Sequence, residues 1–134
     1  MKKRTPFIMS SMIVGIIVFQ SALIAPAINE LVSVYEASVF LRYIWPKFFV
    51  VIGTLAFVSI IGLFQQRGVR LPNYVPAITL AFMVGCFLLT PVINNAKDAG
   101  NEGLWSALHV TTVLMTLVVL ILNVWNLVYL SRKK

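Results

Sequence analysis

The sequence predicts an all-α protein, a bundle of four helices that cross a membrane. Four long apolar runs follow one another along the 134 residues, and 60% of the residues are hydrophobic while only 11% are charged. An ordinary soluble domain carries roughly 25% charged residues. Because a water-soluble chain of this length could not bury so much apolar surface, lipid is the expected solvent.

The charged residues are sorted between the gaps that separate the apolar runs. All the carboxylates fall in the first and third gaps: Glu30, Glu36, Asp98 and Glu102. Of the 11 Lys and Arg residues, all fall at the two chain ends or in the middle gap except Arg42, Lys47 and Lys97. Since basic loops are retained on the cytoplasmic side, both termini are predicted to be cytoplasmic. The expected location is the plasma membrane, which is the inner membrane in a bacterium.

The first two predicted spans cover residues 7–28 and 46–64. The first is uncharged and longer than the apolar region of a cleavable signal peptide, about 7–15 residues, so it is expected to be retained. Pro46 suits the first turn of the second helix, and Tyr43 and Trp45 suit headgroup level. Between these spans, residues 30–45 carry apolar residues at helical spacing. They either continue a helix or form an interfacial helix.

The last two predicted spans cover residues 75–93 and 104–130, and the whole chain is predicted to be one transmembrane domain. Residues 25–29 and 90–94 both read small-Pro-aliphatic-Ile-Asn. Pro26 and Pro91 are therefore predicted to break the outward ends of the first and third helices. The repeated pattern indicates either two related hairpins or the common use of Pro and Asn at helix ends.

Polar and small side chains form one stripe on each of three predicted spans. The stripe of the third comprises Thr79, Met83, Cys86, Thr90 and Asn94, and that of the fourth comprises His109, Thr112, Thr116, Asn123 and Asn126. The first span has a stripe of small residues: Ser11, Gly15, Ala22, Ala25 and Asn29. Such stripes indicate either a hydrogen-bonded bundle interior or, on the third and fourth spans, a small polar cavity that opens outward.

Several function classes are disfavoured by what the sequence contains. The net charge of +7 arises from basic residues at span ends rather than from a patch with interleaved aromatics, so no nucleic-acid partner is predicted. No charged residue lies deep in a span, which disfavours proton-coupled exporters. Because neither a nucleophile–base pair nor a phosphate loop nor metal-ligand spacing is apparent, no enzymatic activity and no cofactor are predicted.

The candidate binding residues gather at the predicted outward end: Arg42, Asn94, Asp98, His109 and Thr112. Arg42 is predicted to pair with Asp98 and tie the two hairpins together, with His109 oriented by one of them. His109 is also the candidate metal ligand, with Asp98, Asn94, Cys86 or Met83 as companions. The alternative is an interfacial histidine bonded to a nearby carbonyl.

Two blocks of sequence resemble a known family. The first is Ala25-Pro26 followed by residues 40–49, and the second is residues 91–94 and 97–100 followed by Leu108-His109. Together they are similar to the domain of unknown function shared with transmembrane-protein-205-like proteins. The resemblance implies a four-helix membrane fold. It also implies an outward polar cluster of Pro26, Arg42, Pro91, Asn94, Asp98 and His109, without an established reaction.

The predicted function is that of a multi-pass membrane protein that binds, or helps to move, a small polar solute or metal ion at its outward face. One alternative is a non-catalytic accessory subunit or assembly factor of a larger membrane complex. Another is a holin-like pore-former. The lipid bilayer is the expected partner. Gln20 lies opposite the small stripe of the first span, so it is expected to meet another helix or a second copy of the chain in a homodimer.

Overall fold

The computed structural model describes residues 4–64 and 74–132, and they confirm the all-α four-helix architecture. The helices are α1 (Arg4–Phe19), α2 (Ala25–Leu31), α3 (Val34–Phe64), α4 (Tyr74–Asp98) and α5 (Glu102–Arg132). A π-helical turn, Gln20–Ile24, joins α1 to α2, so these three segments form one continuous rod. Some basic residues used to predict topology lie outside the described residues: Lys2, Lys3, Arg67, Arg70, Lys133 and Lys134.

The helices pack as an up-and-down bundle in which α1 contacts α3 and α5, and α4 contacts the same two helices. Thr5, near the start of α1, lies beside Gly62, near the end of α3. At the opposite end Arg42 of α3 meets Asp98 of α4. We call the end that holds Arg4, Phe64, Tyr74 and Arg132 the terminal end, and the opposite end the distal end.

All four helical rods are long and apolar enough to cross a membrane. α3 has 31 residues, about 46 Å at 1.5 Å per residue, which exceeds a hydrocarbon core of about 30 Å. Residues 34–45 continue this helix, so the first of the two alternatives for residues 30–45 is confirmed there. The prediction that Pro46 begins a helix is wrong, because Pro46 lies inside α3.

A capping box sets the start of α3. The Ser33 hydroxyl accepts from the Glu36 backbone N–H at 3.3 Å, and the Glu36 carboxylate accepts from the Ser33 N–H at 3.1 Å. This reciprocal pair satisfies two of the backbone donors that a helix start leaves free. The sequence Ser33-x-x-Glu36 carries the signal for a helix that begins well before Pro46.

Pro91 does not break its helix, so that predicted break is wrong, whereas a π turn interrupts the α-helix one turn before Pro26. Pro91 lies inside α4, and Pro26 begins a helical segment that runs to Leu31. Each proline removes one backbone hydrogen bond, and the helix on both sides persists. Before Pro26 the helix widens, since the Ala25 N–H bonds the Gln20 carbonyl five residues back.

The turn between α4 and α5 is short and defined by its hydrogen bonds. Gly100 adopts a φ of 69°, the left-handed conformation that suits glycine at a helix C-terminus. The Asn101 N–H reaches the Ala96 carbonyl, while its side-chain oxygen accepts from the Leu104 N–H at 3.1 Å. This turn places the end of α4 and the start of α5 side by side at the distal end.

The core confirms the predicted inward faces of the third and fourth spans. Thr79, Met83 and Cys86 of α4 and most of the α5 stripe are buried. The stripe of small residues on the first span is not an interior face. Gly15 and Ser11 are exposed, and Ile13 and Ile17 fill the interior instead. Because this helix is apolar on nearly every side, its sequence periodicity marks the packed face poorly.

Gln20 is buried, and it lines a groove between the π turn and α3. Of the two expectations for this residue, contact with another helix of the same chain is therefore confirmed. The homodimer inferred from Gln20 stays a prediction, since the buried Gln20 Nε2 has no hydrogen-bonding partner among the described residues.

Candidate functional site

A cleft of about 570 Å³ occupies the distal half of the bundle. Every helical rod contributes to its wall, from Ile17 of α1 to Leu120 of α5. Along α5 the wall runs from Trp105 to Leu120, about 22 Å at 1.5 Å per residue. We call this space the distal cleft.

The polar side chains of the distal cleft include most of the predicted binding residues. They lie mainly toward the distal end and include Arg42, Thr90, Asn94, Lys97, His109 and Thr112. Four of the five predicted residues therefore line the same cleft. The fifth, Asp98, does not line the cleft but binds Arg42 directly. Only the distal members of the two stripes line this space: Thr90 and Asn94 on the third span, and His109, Thr112 and Thr116 on the fourth.

The predicted pair of Arg42 and Asp98 is confirmed and joins α3 to α4. Arg42 donates to both carboxylate oxygens of Asp98, from Nη2 at 2.7 Å and from Nη1 at 3.1 Å. These hydrogen bonds lower the pKa of Asp98, which lies outside the predicted spans. Since a lowered carboxyl pKa keeps the group ionised at neutral pH, the pair is lost only as the pH falls through that lowered value.

A second ion pair lies beside the first at the mouth of the cleft. Lys97 Nζ donates to both carboxylate oxygens of Glu102, at 2.9 and 3.1 Å, and lies 4.2 Å from the centre of the Trp105 ring. In both pairs the carboxylate side chain is the more exposed partner, 61% against 36% and 63% against 42%. The cations line the cleft and their counter-charges lie at its outer surface.

His109 lines the cleft but is not oriented by Arg42 or Asp98, so that expectation is wrong. Its imidazole stacks on the Trp105 indole, with ring centres 5.5 Å apart and planes 10° apart. Both carboxylate oxygens of Asp98 are already bonded to Arg42. In the described ranges no group of three or more His, Cys, Asp or Glu side chains could hold a metal ion.

Some hydrogen-bonding groups of the cleft have a partner within the protein, and others have none among the described residues. Thr112 donates to the His109 carbonyl at 2.8 Å, and Thr90 donates to the Cys86 carbonyl at 3.0 Å. The described residues supply no hydrogen-bonding partner for the side chains of Asn94 and His109. Arg42 has five N–H donors, of which two reach Asp98. The distal end of the cleft therefore presents spare donors.

The wall of the cleft is open between α2 and α5. α1 contacts both α3 and α5, whereas α2 contacts α3 and the π turn but not α5. No residue of α2 is buried. The rod thus leaves α5 at the π turn, one turn before Pro26. Asn29 of α2 and the exposed Val113 and Leu117 of α5 line the cleft on the two sides of this gap.

The cleft is closed toward the terminal end by hydrogen-bonded polar side chains. Asn123 donates to Thr79 Oγ1 at 3.0 Å, which joins α5 to α4. Asn126 donates to Ser10 Oγ at 2.9 Å, which joins α5 to α1. All four side chains are buried, and none of them lines the cleft. The same α5 stripe therefore serves the cleft in its distal part and the bundle interior in its terminal part.

Sequence reasoning did not identify Lys97, Trp105 or the gap at α2 as parts of this site. The contact of Lys97 with Trp105 has no signal in the sequence, because it depends on side-chain conformations at the turn between α4 and α5. The gap arises from the π turn, which has no recognisable sequence signature beyond the following proline. No protein-family model matches the sequence, and no curated protein or solved structure matches it.

Proposed function

We propose that this protein inserts into the plasma membrane with both termini in the cytoplasm and binds a small solute in its outward-facing distal cleft. The single observation that carries the proposal is the cleft itself, with spare polar groups at one end. Its volume of about 570 Å³ lies within the range of ligand sites, about 300–1,000 Å³. The family resemblance stays a prediction that is compatible with this function.

Two observations support the membrane location and its orientation. The four helical rods each have the length and apolar composition of a membrane span. The four carboxylates lie toward the distal end, whereas Lys and Arg predominate at the chain ends and in the middle gap. Retention of basic segments in the cytoplasm then places the distal cleft on the outer side.

The chemistry of the cleft favours an organic solute over a metal ion. Among the residues that the structure describes, His109 belongs to no group of three or more His, Cys, Asp or Glu side chains that could hold a metal ion. The open groups are instead an amide, an imidazole and guanidinium N–H donors, which suit an oxygen-rich polar group. The rest of the wall is mainly apolar, as with Phe49 and Leu120. A solute with both a polar and an apolar part fits this division.

Cysteine labelling on intact cells tests the orientation. A membrane-impermeant maleimide is expected to label Ala99→Cys, in the exposed distal turn, and to leave Ser131→Cys unlabelled until the cells are permeabilised. The unaltered chain is the control, because its single cysteine, Cys86, is buried. Labelling of Ser131→Cys before permeabilisation, with Ala99→Cys protected, would reverse the orientation.

Mass spectrometry of small molecules that co-purify with the protein tests the binding role. Leu117→Trp is expected to deplete a bound compound because the larger side chain would occupy the cleft. The matched control is Leu114→Trp, on the same helix. Leu114 is also exposed, 55% against 48% for Leu117, but it does not line the cleft. Identical co-purifying compounds from both variants and the unaltered protein would contradict the proposal.

An exposed apolar surface at the distal end favours a second function, that of an accessory subunit of a larger membrane complex. Leu31, Val34 and Tyr35 form an apolar group at the distal junction of α2 and α3, each at least three-quarters exposed. Such a group suits an accessory subunit that docks on a larger membrane complex. Purification in mild detergent distinguishes this function, since a stable partner would be retained in stoichiometric amount. The holin-like function gains no comparable support, because the hydrogen-bonded layer closes the bundle below the cleft.

A further inference from the structure

We infer that the ligand of the distal cleft is an anionic phospholipid of the outer leaflet, with an acyl chain inside the cleft and its phosphate at the distal end. The inference rests on the proposed function, because it requires a cleft that faces outward in a membrane. It names the chemical class of the ligand from the depth, polarity and opening of the cleft.

The depth of the apolar part matches one leaflet. From His109 to Leu120 the α5 wall extends about 17 Å at 1.5 Å per residue. Half of a hydrocarbon core of about 30 Å is about 15 Å. Ile17, Phe49, Leu117 and Leu120 line this part, and they provide apolar contact for a hydrocarbon chain. An acyl chain that enters here would keep the depth it has in the surrounding bilayer.

The polar end of the cleft has the chemistry of a phosphate site. Arg42 and Lys97 line it, while their carboxylate partners Asp98 and Glu102 do not. The remaining N–H donors of Arg42, the Asn94 amide and the His109 imidazole are available to phosphate oxygens. Charge-assisted hydrogen bonds of this kind are stronger than those between neutral groups. An anionic headgroup is favoured because the guanidinium and ammonium groups line the cleft, whereas the carboxylates paired with them lie at its outer surface.

The gap between α2 and α5 provides the route. Because α2 does not contact α5, the cleft is open at the side of the bundle rather than only at its distal end. Val113 and Leu117 border this gap and are about half exposed. In a membrane the gap would face acyl chains, so a lipid could enter sideways without leaving the hydrocarbon. An apolar side entrance therefore favours a ligand that is dissolved in the bilayer over one that is dissolved in water.

Lipid binding to the purified full-length protein tests this inference. Native mass spectrometry and thermal unfolding are to be measured with three probes: phosphatidylglycerol, phosphatidylcholine with the same acyl chains, and glycerol phosphate. We expect one phosphatidylglycerol per chain, bound about tenfold more tightly than phosphatidylcholine and raising the unfolding temperature. Glycerol phosphate, which has the headgroup charge but no chain, is expected to leave the unfolding temperature unchanged.

Two matched pairs of variants locate the bound lipid. Leu117→Trp should weaken phosphatidylglycerol binding by about tenfold, while Leu114→Trp binds as the unaltered protein does. Asn94→Ala should reduce the preference for phosphatidylglycerol over phosphatidylcholine, while Asn95→Ala retains it. Asn94 lines the cleft and its neighbour Asn95 does not. If Leu117→Trp does not fold, the comparison of Asn94→Ala with Asn95→Ala alone tests the inference.

The outcomes separate this inference from the proposed function. Equal phosphatidylglycerol binding by both members of each pair would mean annular lipid and would overturn the inference. If Leu117→Trp nevertheless depletes a different co-purified compound, the solute-binding function stands without the lipid. If neither a lipid nor any other compound depends on the cleft residues, both proposals fall.

Discussion

Replacing Gly53 with phenylalanine is expected to unfold the bundle or destabilise it by about 3 kcal/mol or more, the upper part of the range for overpacked cores. Gly53 is buried where α3 packs against α4. A Cβ atom at this position would lie 3.7 Å from Leu80 Cδ1 and 3.7 Å from Met83 Cβ. There is room for one methyl group, and an aromatic ring would force the two helices apart.

The matched control is Gly53→Ala, which adds only the methyl group. It is expected to stabilise the protein by about 0.5–1 kcal/mol, because alanine loses less conformational freedom than glycine in a helix. Both variants can be compared by unfolding in detergent micelles with increasing denaturant. A tolerated phenylalanine would mean that α3 and α4 are not closely packed at Gly53. A strongly destabilising alanine would mean that Leu80 or Met83 lies closer than 3.7 Å to the added Cβ atom.

Met83→Ala is expected to lower the free energy of unfolding by about 2 kcal/mol, the low end of the range for large-to-small core substitutions. Met83 is 1% exposed, and it belongs to the central cluster with Ile52, Cys86 and Val119. The low end is expected because the unfolded chain in a micelle or bilayer also keeps methionine out of water. The remaining loss comes from the cavity and its missing contacts.

Val84→Ala is the control for this effect, because the neighbouring Val84 is 49% exposed. It should change the free energy of unfolding by less than about 0.5 kcal/mol, as surface substitutions usually do. The same micelle unfolding experiment measures both variants. Comparable losses at Met83 and Val84 would show that the face of α4 assigned to the core is wrong.

The four-helix fold was predictable because four apolar runs of the length of a membrane span are separated by gaps that hold the charged residues. A span needs about 20 apolar residues, and unpaired charges are restricted to the gaps. The inward faces of α4 and α5 were also predictable, because Thr79, Asn123 and Asn126 are polar residues on otherwise apolar helices. The inward face of α1 was not, because Ile13 and Ile17 look the same as the residues that face outward.

Helix ends were predicted less well than helix faces. The prolines at 26, 46 and 91 suggested helix boundaries, yet all three lie within continuous helical rods. The true start of α3 is set by Ser33 and Glu36, whose side chains satisfy the backbone groups of the first turn. In a predominantly apolar chain, capping residues locate the helix ends better than proline does.

For the candidate site, the pair of Arg42 and Asp98 was predictable from charge alone. Opposite charges on the same side of a membrane, on neighbouring helices, have few other partners. The position of His109 against Trp105 was not predictable, because the stacking depends on side-chain conformations within a single turn of α5. The side gap depends on where α2 leaves α5, which only the packing of the four rods decides.

The layer formed by Thr79, Asn123, Ser10 and Asn126 blocks passage through the bundle interior. Both asparagines lie on α5 and bond to two different helices, so a through-passage would require α5 to separate from α1 and α4 together. A molecule held above this layer can leave only through the distal mouth or the side gap between α2 and α5. Its residence time would then be governed by those two openings, and in the membrane location proposed above the layer would oppose the passage of ions and protons through the bundle.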